Sequence, residues 1–279
     1  MPGHDMQVWP EGSWDDAFDN RGYIPGASAF PEAWEERAAK YRASEVRMEI
    51  GKPYGDHPRE TLDLIWPDGA PKGLAIFVHG GYWRMTDPSV WTHYAEGARA
   101  RGWAVCLPGY TLAPEATIGQ IVRQIGQAIT VAADQCPGPI RLAGHSAGGH
   151  LVTRMCSEDS PLDDPVWSRV QHVLSISGVH DLRPLLSTSM NAILGLDDAE
   201  AEAESPILHA PRTGTRITAW VGGGERPEFL RQAQMLDLVW KGLSVPTAHV
   251  VDGAHDHFSV LEGLRDPESR ITRAFVGPS

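Results

Sequence analysis

The sequence Gly144-His145-Ser146-Ala147-Gly148 constrains the fold of this 279-residue chain more than any other stretch. It follows the apolar run at residues 140–143 and precedes a helix-compatible run at residues 147–157. A serine between glycines at this spacing is typical of a sharp strand-to-helix turn, whose strained backbone exposes the serine hydroxyl. Glycine is needed two residues before and after the serine, because strand and helix approach too closely there for a Cβ. The motif therefore predicts a nucleophilic serine, Ser146.

The sequence His79-Gly80-Gly81-Tyr82-Trp83 follows a second apolar run, residues 74–78. A loop after the third strand of such a sheet can supply the second half of an oxyanion hole beside the serine turn. Two glycines let backbone N–H groups face a developing oxyanion, which a bulky side chain would obstruct. We therefore predict an oxyanion hole built from four backbone N–H groups, those of Gly80, Gly81, Tyr82 and Ala147.

Apolar runs of strand length alternate with helix-compatible stretches along most of the chain. Strands are predicted at residues 62–66, 74–78, 103–107, 140–143, 172–176, 217–221 and 247–251, with residues 46–50 as a first edge strand antiparallel to its neighbour. Helices are predicted at residues 89–101, 118–134 and 227–241. The alternation indicates an α/β fold with a mostly parallel central sheet and helices on both faces.

Two regions lie outside this alternation. Residues 1–45 are rich in Trp, Pro, Gly and acids, and they predict an N-terminal arm packed over the domain or across the mouth of the site. Residues 46–279 form the main domain, with a proline-broken, acidic insertion around residues 181–212 between the sixth and seventh strands. An insertion at that point predicts a small cap over the pocket.

Composition and charge narrow the classes of partner. With 279 residues, 42% of them hydrophobic, the chain can bury one full core, so we expect a single catalytic domain. Its net charge of -12 disfavours nucleic acid and anionic membranes as partners and suits a small neutral or zwitterionic substrate. Because the sequence shows neither a leader pattern nor an apolar stretch of membrane-spanning length, we expect a soluble, cytoplasmic protein, without a cofactor. The oligomeric state stays open, with a homodimer as one expectation.

A serine hydroxyl needs a histidine to take its proton and a carboxylate to orient that histidine. Glu225 is the best placed carboxylate, because it follows a late strand, residues 217–221, in a glycine-rich turn. Glu228 is expected in the first turn of the next helix, where an acid is favoured by the helix dipole. Asp181, after the preceding strand, is the rival acid, although it can instead cap a helix that begins at Leu182.

Two histidines, His255 and His257, compete for the role of the base. Both lie after the last predicted strand, residues 247–251. A histidine beside Phe258 at the start of the final helix has the usual placement, so we predict His257 as the base and His255 as a rim or packing residue. The histidines that flank the serine, His145 and His150, are expected to be structural.

Neither a metal site nor a disulfide scaffold is expected. The His255-x-His257 pair with Asp252 and Asp256 could suggest a metal site, but the serine machinery already explains a histidine here and no other cluster completes a ligand set. The cysteines are odd in number and lie without metal spacing in strand-like or helix-like runs; they are Cys106, Cys136 and Cys156. This pattern indicates reduced, packed thiols.

Together these motifs resemble the serine α/β-hydrolases of the kynurenine formamidase (arylformamidase) type, relatives of the hormone-sensitive-lipase-like esterases. The resemblance rests on residues 79–83, of the form H-G-G-x-W, and on residues 144–151. It extends to residues 110–114, 224–232 and 256–258, and it spans residues 23–264. It implies an α/β-hydrolase fold in which Ser146 is the nucleophile, Glu225 the acid and His257 the base. The eukaryotic formamidases usually have aspartate where this chain has Glu225, and glutamate can do the same electrostatic work.

The resemblance also implies the reaction. Members hydrolyse N-formyl-L-kynurenine to kynurenine and formate through an acyl-enzyme, and carboxylester hydrolysis on small aryl or acyl esters is the alternative. A non-catalytic ligand-binding protein on the same fold is a remote alternative, because all three triad members are present. Four aromatic residues are candidates to contact a flat substrate: Tyr82, Trp83, Tyr110 and Phe258. Core packing is the alternative interpretation for each of them, and for Trp83 it is the favoured interpretation.

Overall fold

One eight-stranded sheet runs through the protein, of which a computed structural model describes residues 9–10 and 12–277. The strands are β1 (Met48–Pro53), β2 (Thr61–Ile65), β3 (Leu74–Val78), β4 (Ala104–Pro108), β5 (Ile140–His145), β6 (Val170–Ile176), β7 (Ile217–Gly222) and β8 (Thr247–Asp252). They lie in the order β1-β2-β4-β3-β5-β6-β7-β8. Strand β2 is antiparallel to both β1 and β4, and the other neighbours are parallel. The predicted α/β fold, with its antiparallel first edge strand, is confirmed.

Helices pack on both faces of the sheet. Within the described residues they are α1 (Trp14–Phe18), α2 (Asn20–Tyr23), α3 (Phe30–Arg42), α4 (Glu96–Ala100), α5 (Ile118–Gln135), α6 (Ala147–Arg154), α7 (Asp164–Trp167), α8 (Asn191–Leu194), α9 (Asp198–Ala203), α10 (Pro227–Gly242) and α11 (Arg270–Val276). Alternate residues of β3 enter two cores: Leu74 and Ile76 pack with α5, α6 and α10, whereas Ala75 and Phe77 pack with α3, α4 and α11. Burial on both faces explains the continuous apolar runs.

No helix in the described part of the chain is both long enough and apolar enough to cross a bilayer. The three cysteines are buried and free, in agreement with the expectation of packed thiols.

The stretch at residues 89–101 differs from the single helix predicted there. It contains 3₁₀ helices at Pro88–Val90 and Thr92–Ala95, and only Glu96–Ala100 is α-helical. The Thr92 hydroxyl lies within hydrogen-bond distance of the carbonyls of Pro88 and Ser89, both at 3.3 Å, which favours a tight turn. A Cβ on Gly97 would overlap the carbonyl of Leu264, so the α-helical turn is fixed by close packing from a distant segment.

Residues 181–212 connect β6 to β7 through two short α-helices, α8 and α9, and 3₁₀ helices at Arg183–Ser187 and Pro206–Leu208. The segment is fastened to the helices beneath it. Glu200 accepts the backbone N–H of Gly119 in α5 at 2.9 Å, and Glu204 pairs with Arg154 of α6 at 2.9 Å. It therefore lies beside the helix that begins at the predicted nucleophile.

Candidate active site

The turn between β5 and α6 has the strained backbone that the glycine-serine motif predicts. Ser146 adopts φ 55° and ψ −116°, a conformation that L side chains rarely take. Its backbone N–H donates to the carbonyl of Ile176 at 2.8 Å, which ties the turn to the end of β6. A Cβ on Gly144 would overlap the carbonyl of Gly148, and a Cβ on Gly148 would overlap that of Val78. Strand and helix therefore meet at a separation that only glycines allow.

Glu225 holds His257 at the carboxyl end of β7. Glu225 is 2% exposed, and its Oε2 lies 2.6 Å from His257 Nδ1. Its Oε1 accepts the Gly222 N–H at 2.7 Å and the Ser177 hydroxyl at 2.5 Å. Because an ionised carboxylate only accepts hydrogen bonds, neutral His257 carries its proton on Nδ1. The lone pair on Nε2 is then available to take a proton.

His257 also lies against the serine turn. The ring of His145, the residue before Ser146, is 4.6 Å from the His257 ring. His145 Nε2 lies 2.8 Å from the backbone carbonyl of His257, so it donates a hydrogen bond to that oxygen. Burial and the neighbouring His257 hold the pKa of His145 well below its usual range, so His145 stays neutral. The structure thus brings Ser146, Glu225 and His257 to one edge of the sheet.

The rival residues are engaged elsewhere. The Asp181 carboxylate pairs with Arg183 at 2.8 Å and accepts the Arg183 backbone N–H at 3.2 Å, ahead of a 3₁₀ helix rather than an α-helix. Glu228 lies in the first turn of α10, as expected, and pairs with Arg231 at 2.7 Å. His255 accepts the Gly224 N–H on its backbone carbonyl at 3.0 Å. None of the three makes a contact like that between Glu225 and His257.

The predicted oxyanion loop lies directly against the serine turn. A Cβ on Gly80 would lie 2.8 Å from the His145 carbonyl and 3.1 Å from Ser146 Cβ. Gly81 has φ +115° and Tyr82 φ 49°, so the loop makes a tight turn through left-handed backbone conformations at this point. In the described chain, the N–H groups of Gly81, Tyr82 and Ala147 take part in no hydrogen bond. These donors are available for a substrate oxygen.

The N-terminal arm closes one side of this arrangement. The Tyr82 hydroxyl donates to the carbonyl oxygen of Phe18 in α1. The Phe18 ring meets the Phe229 ring edge-on at 5.9 Å, and the Phe229 ring lies 4.7 Å from the His257 ring. Aromatic contacts therefore connect the arm to His257, the predicted base.

Arg226, the residue after Glu225, fastens the arm to the loop between β7 and α10 that carries Glu225. Its backbone N–H donates to Asn20 Oδ1 at 2.8 Å, and its guanidinium pairs with Asp16. The same guanidinium stacks over the Tyr23 ring, 4.4 Å from its centroid. Sequence reasoning identified the arm but neither Phe18 nor Asn20, because nothing local marks them as neighbours of the site.

Two of the four aromatic candidates lie beneath the loop with no surface exposed. Trp83 and Tyr110 are each 0% exposed. The Tyr110 ring stacks on the His79 ring at 4.4 Å, and its hydroxyl donates to the His79 carbonyl at 3.1 Å. Neither the Trp83 nor the Tyr110 side chain therefore has surface that a substrate could contact, in contrast to their prediction as candidate substrate contacts. Phe258 is half-buried and stacks on Phe30 of the arm at 5.4 Å.

His150 joins the oxyanion loop to the insertion. The Trp83 indole N–H donates to His150 Nδ1 at 3.3 Å. Because indole is only a donor, Nδ1 must accept, and Nε2–H then donates to the Glu204 carbonyl at 2.7 Å. Burial lowers the pKa of His150 to about 3, which keeps this bridge uncharged. His150 is therefore structural, as predicted.

Ser177 is a residue of the candidate site that sequence reasoning missed. It donates to Glu225, which lies 48 positions away in the chain. Its place directly after β6 is the one available signal, because the carboxyl ends of neighbouring parallel strands meet at one edge of the sheet.

Across residues 9–10 and 12–277, no group of three or more His, Cys, Asp or Glu side chains is arranged to hold a metal ion.

This fold and serine turn define a class of protein. A family model described as the alpha/beta hydrolase fold matches residues 75–259, and the chain belongs to that family. The predicted family and enzyme class are confirmed: the chain is a hydrolase.

Several relatives are known at the level of sequence. The chain is similar to kynurenine formamidase of Danio rerio, with 28% identity over 80% of this chain and 79% of the relative. It is also similar to kynurenine formamidase of Salmo salar, with 29% identity over 81% of this chain and 80% of the relative.

Among solved structures, a proposed thioesterase from Silicibacter sp. tm1040 has a TM-score of 0.89 and 45% identity, covering 95% of this chain and 99% of that chain. Esterase B of Lactobacillus rhamnosis has a TM-score of 0.68 at 17% identity, covering 89% of this chain and 91% of that one, and shows a shared fold.

Proposed function

We propose that this hydrolase acts through Ser146 as nucleophile, His257 as general base and Glu225 as the acid, and that it cleaves an aryl formamide of the N-formyl-L-kynurenine type. The observation that carries the proposal is the short contact of 2.6 Å between Glu225 and His257, next to a strained serine turn. An acid that fixes the proton on Nδ1 leaves Nε2 free to activate a serine.

In this scheme Ser146 Oγ attacks the acyl carbonyl while His257 Nε2 takes the hydroxyl proton. The carbonyl oxygen becomes an oxyanion, and the N–H groups of Ala147 and the loop at residues 80–82 stabilise it. His257 then gives the proton to the leaving amine, which departs as the acyl-enzyme forms. Water attacks the acyl-enzyme by the same steps and releases formate.

Crowding around the site supports a small acyl group. Ser146 is 2% exposed and His257 is 5% exposed. Phe229 lies against the His257 ring, and Phe18 packs on Phe229. A formyl group, with no side chain, needs the least space beside the nucleophile. The flat aromatic rings nearby suit an aryl leaving group. The names of the relatives support the same substrate class.

Hydrolysis of a small ester or thioester is the second candidate. It is favoured by the structure with 45% identity that was described as a proposed thioesterase. Such substrates use the same triad and oxyanion hole, and they differ in the leaving group, which needs less help from a general acid than an amine does.

The discriminating experiment compares kcat/KM for N-formyl-L-kynurenine, p-nitrophenyl acetate and S-phenyl thioacetate on one preparation. The Ser146→Ala variant is the blank, and we expect its turnover to fall by about 10⁴-fold or more without loss of folding. A preference for the formamide supports the arylformamidase proposal. Turnover of esters alone favours the second candidate, and near-normal turnover by Ser146→Ala contradicts the mechanism.

We further propose that the enzyme works in a reducing compartment such as the cytoplasm, on a small-molecule substrate. Its three buried, free cysteines support the reducing compartment.

A further inference from the structure

Arg84 is half-buried, and among the described residues its side chain has no hydrogen-bond or ion-pair partner. Its Nε atom is buried and makes no hydrogen bond. All arginines of the chain lie within the described residues, and the other half-buried or buried ones bind a carboxylate, a carbonyl or an amide oxygen. Leaving a buried donor of a charged group unsatisfied is costly, so such a group normally indicates a missing anionic partner.

Arg84 belongs to the oxyanion loop. Its backbone N–H donates to the Gly81 carbonyl at 3.0 Å, in the same tight turn that presents the N–H groups of Gly81 and Tyr82. The side chain of Trp83, between them, is directed into the core, where it bonds His150. The Arg84 side chain thus extends from a backbone that is held in place by the hydrogen bond to Gly81 and by the buried Trp83 side chain.

The Arg84 guanidinium lies within electrostatic range of the Tyr82 hydroxyl. Burial raises the pKa of Tyr82, the carboxylates of Asp19 and Glu225 raise it further, and the Arg84 guanidinium opposes them. Electrostatic influence falls with distance, so these three charges lie near one hydroxyl. Glu225 is the residue that holds His257. Arg84 therefore belongs to the loop that lies against the serine turn, and its charge acts on the same Tyr82 hydroxyl as the charge of Glu225.

The other arginines near the site are occupied. Arg226 pairs with Asp16, Arg231 with Glu228, and Arg183 with Asp181. Within the described residues, Arg84 is a cation of the oxyanion loop that no carboxylate engages, and it is open to an anionic group of a substrate.

We propose that Arg84 is a specificity-determining residue that binds a carboxylate on the leaving-group side of the substrate. The proposal rests on the proposed function and narrows its substrate class to acyl compounds that carry a carboxylate. A guanidinium offers Nε–H and Nη–H as a planar pair that matches the two oxygens of a carboxylate. Asp19, whose Oδ1 accepts the Gly22 N–H at 2.8 Å, has Oδ2 left for an ammonium group. The combination fits an α-amino acid head group.

The test uses Arg84→Met and a pair of formamides that differ in the head group alone. N-formyl-L-kynurenine carries the amino acid, and 2-formamidoacetophenone has the same formanilide and ketone without it. We expect kcat/KM for the first to fall about 10- to 100-fold, mainly through KM, as for a lost hydrogen bond to a charged group. The neutral formamide is expected to change less than about threefold. Arg84→Lys, which keeps the charge but loses the planar pair, should fall between.

Arg21→Met is the matched control, because Arg21 is an exposed arginine on the arm and its loss changes the net charge equally. An equal loss of kcat/KM on both formamides would mean that Arg84 supports the loop, and no loss on either would mean that it binds no carboxylate; both results overturn the proposal. If the wild-type enzyme cleaves no formamide, the proposed function fails separately. The Arg84 proposal is then decided with 4-acetoxybenzoate against phenyl acetate, where the same selective loss is expected.

Discussion

Replacement of Glu225 by glutamine tests how the acid controls the proton on His257. In the wild-type protein, Oε1 accepts two hydrogen bonds, from Ser177 and from the Gly222 N–H, while Oε2 faces His257 Nδ1 at 2.6 Å. The amide oxygen of glutamine must take the Oε1 position, because an NH₂ group there would face a backbone donor. The NH₂ group then faces Nδ1 and donates to it.

A donor at that position forces His257 into the wrong tautomer. Nδ1 accepts, the proton moves to Nε2, and Nε2 can no longer take the proton of Ser146. The equivalent substitution in serine proteases lowers kcat about 10⁴-fold. We expect a loss of this size, equivalent to about 5.5 kcal/mol of barrier, with KM nearly unchanged.

The assay is steady-state turnover at neutral pH together with labelling by a fluorophosphonate probe. Both should fall in Glu225→Gln, whereas thermal unfolding should shift little because the amide keeps both donors of Oε1 satisfied. Glu228→Gln is the matched control: it removes a buried carboxylate three residues away that pairs with Arg231, so it should cost stability and leave kcat close to wild type. A kcat of Glu225→Gln within about tenfold of wild type would refute the tautomer argument.

Two further predictions concern the loop and the buried histidines. Gly80→Ala places a Cβ 2.8 Å from the His145 carbonyl and should displace the oxyanion donors. We expect kcat to fall by about 10²–10³-fold in a folded protein, measured by turnover and by circular dichroism, and unchanged turnover would contradict this role. Burial lowers the pKa of both His150 and His180 to about 3 in the folded protein, whereas a histidine in the unfolded chain has a pKa of about 6.5. As the pH falls below about 6.5, these two histidines therefore bind protons in the unfolded state but not in the folded state. The contribution of these neutral rings to the free energy of unfolding is complete above that pH and is lost on acidification. The urea concentration at the unfolding midpoint should therefore be lower at pH 5 than at pH 7.5. An equal midpoint at the two pH values would show that these histidines are not buried as neutral rings.

The strands and the serine turn could be predicted because their signals are local. β3, Leu74–Val78, coincides with its predicted run, since a strand buried on both faces must be apolar throughout. Gly144 and Gly148 were predictable because the close approach of strand to helix excludes a Cβ at both. In each case the physical constraint acts within a few residues of the sequence that reveals it.

The remaining features depend on contacts between distant segments. Within the stretch predicted as one helix, residues 89–101, the short α-helix packs at Gly97 on Leu264, a residue far away in the chain. Ser177 binds Glu225 because β6 and β7 are neighbours, which the chain order alone does not state. Tyr110 is buried where its ring stacks at 4.4 Å on the ring of His79, a residue from a different loop of the chain. No periodicity in the sequence encodes these choices.

The adjacency of Glu225 and Arg226 has a consequence for how the enzyme loses activity. One peptide bond separates the residue whose carboxylate contacts His257 from the arginine that holds the arm through Asn20 and Asp16. Helices α1 and α2 of the arm are held by Phe18 in one core and by the polar contacts of Asp16 and Asn20, whereas α3 packs into the other core through Trp34. Mild denaturation should therefore release α1 and α2 and disturb the loop that carries Glu225 while the strands stay paired. Inactivation and global melting are then two separate events, and residual activity reports on the attachment of α1 and α2 before it reports on the stability of the domain.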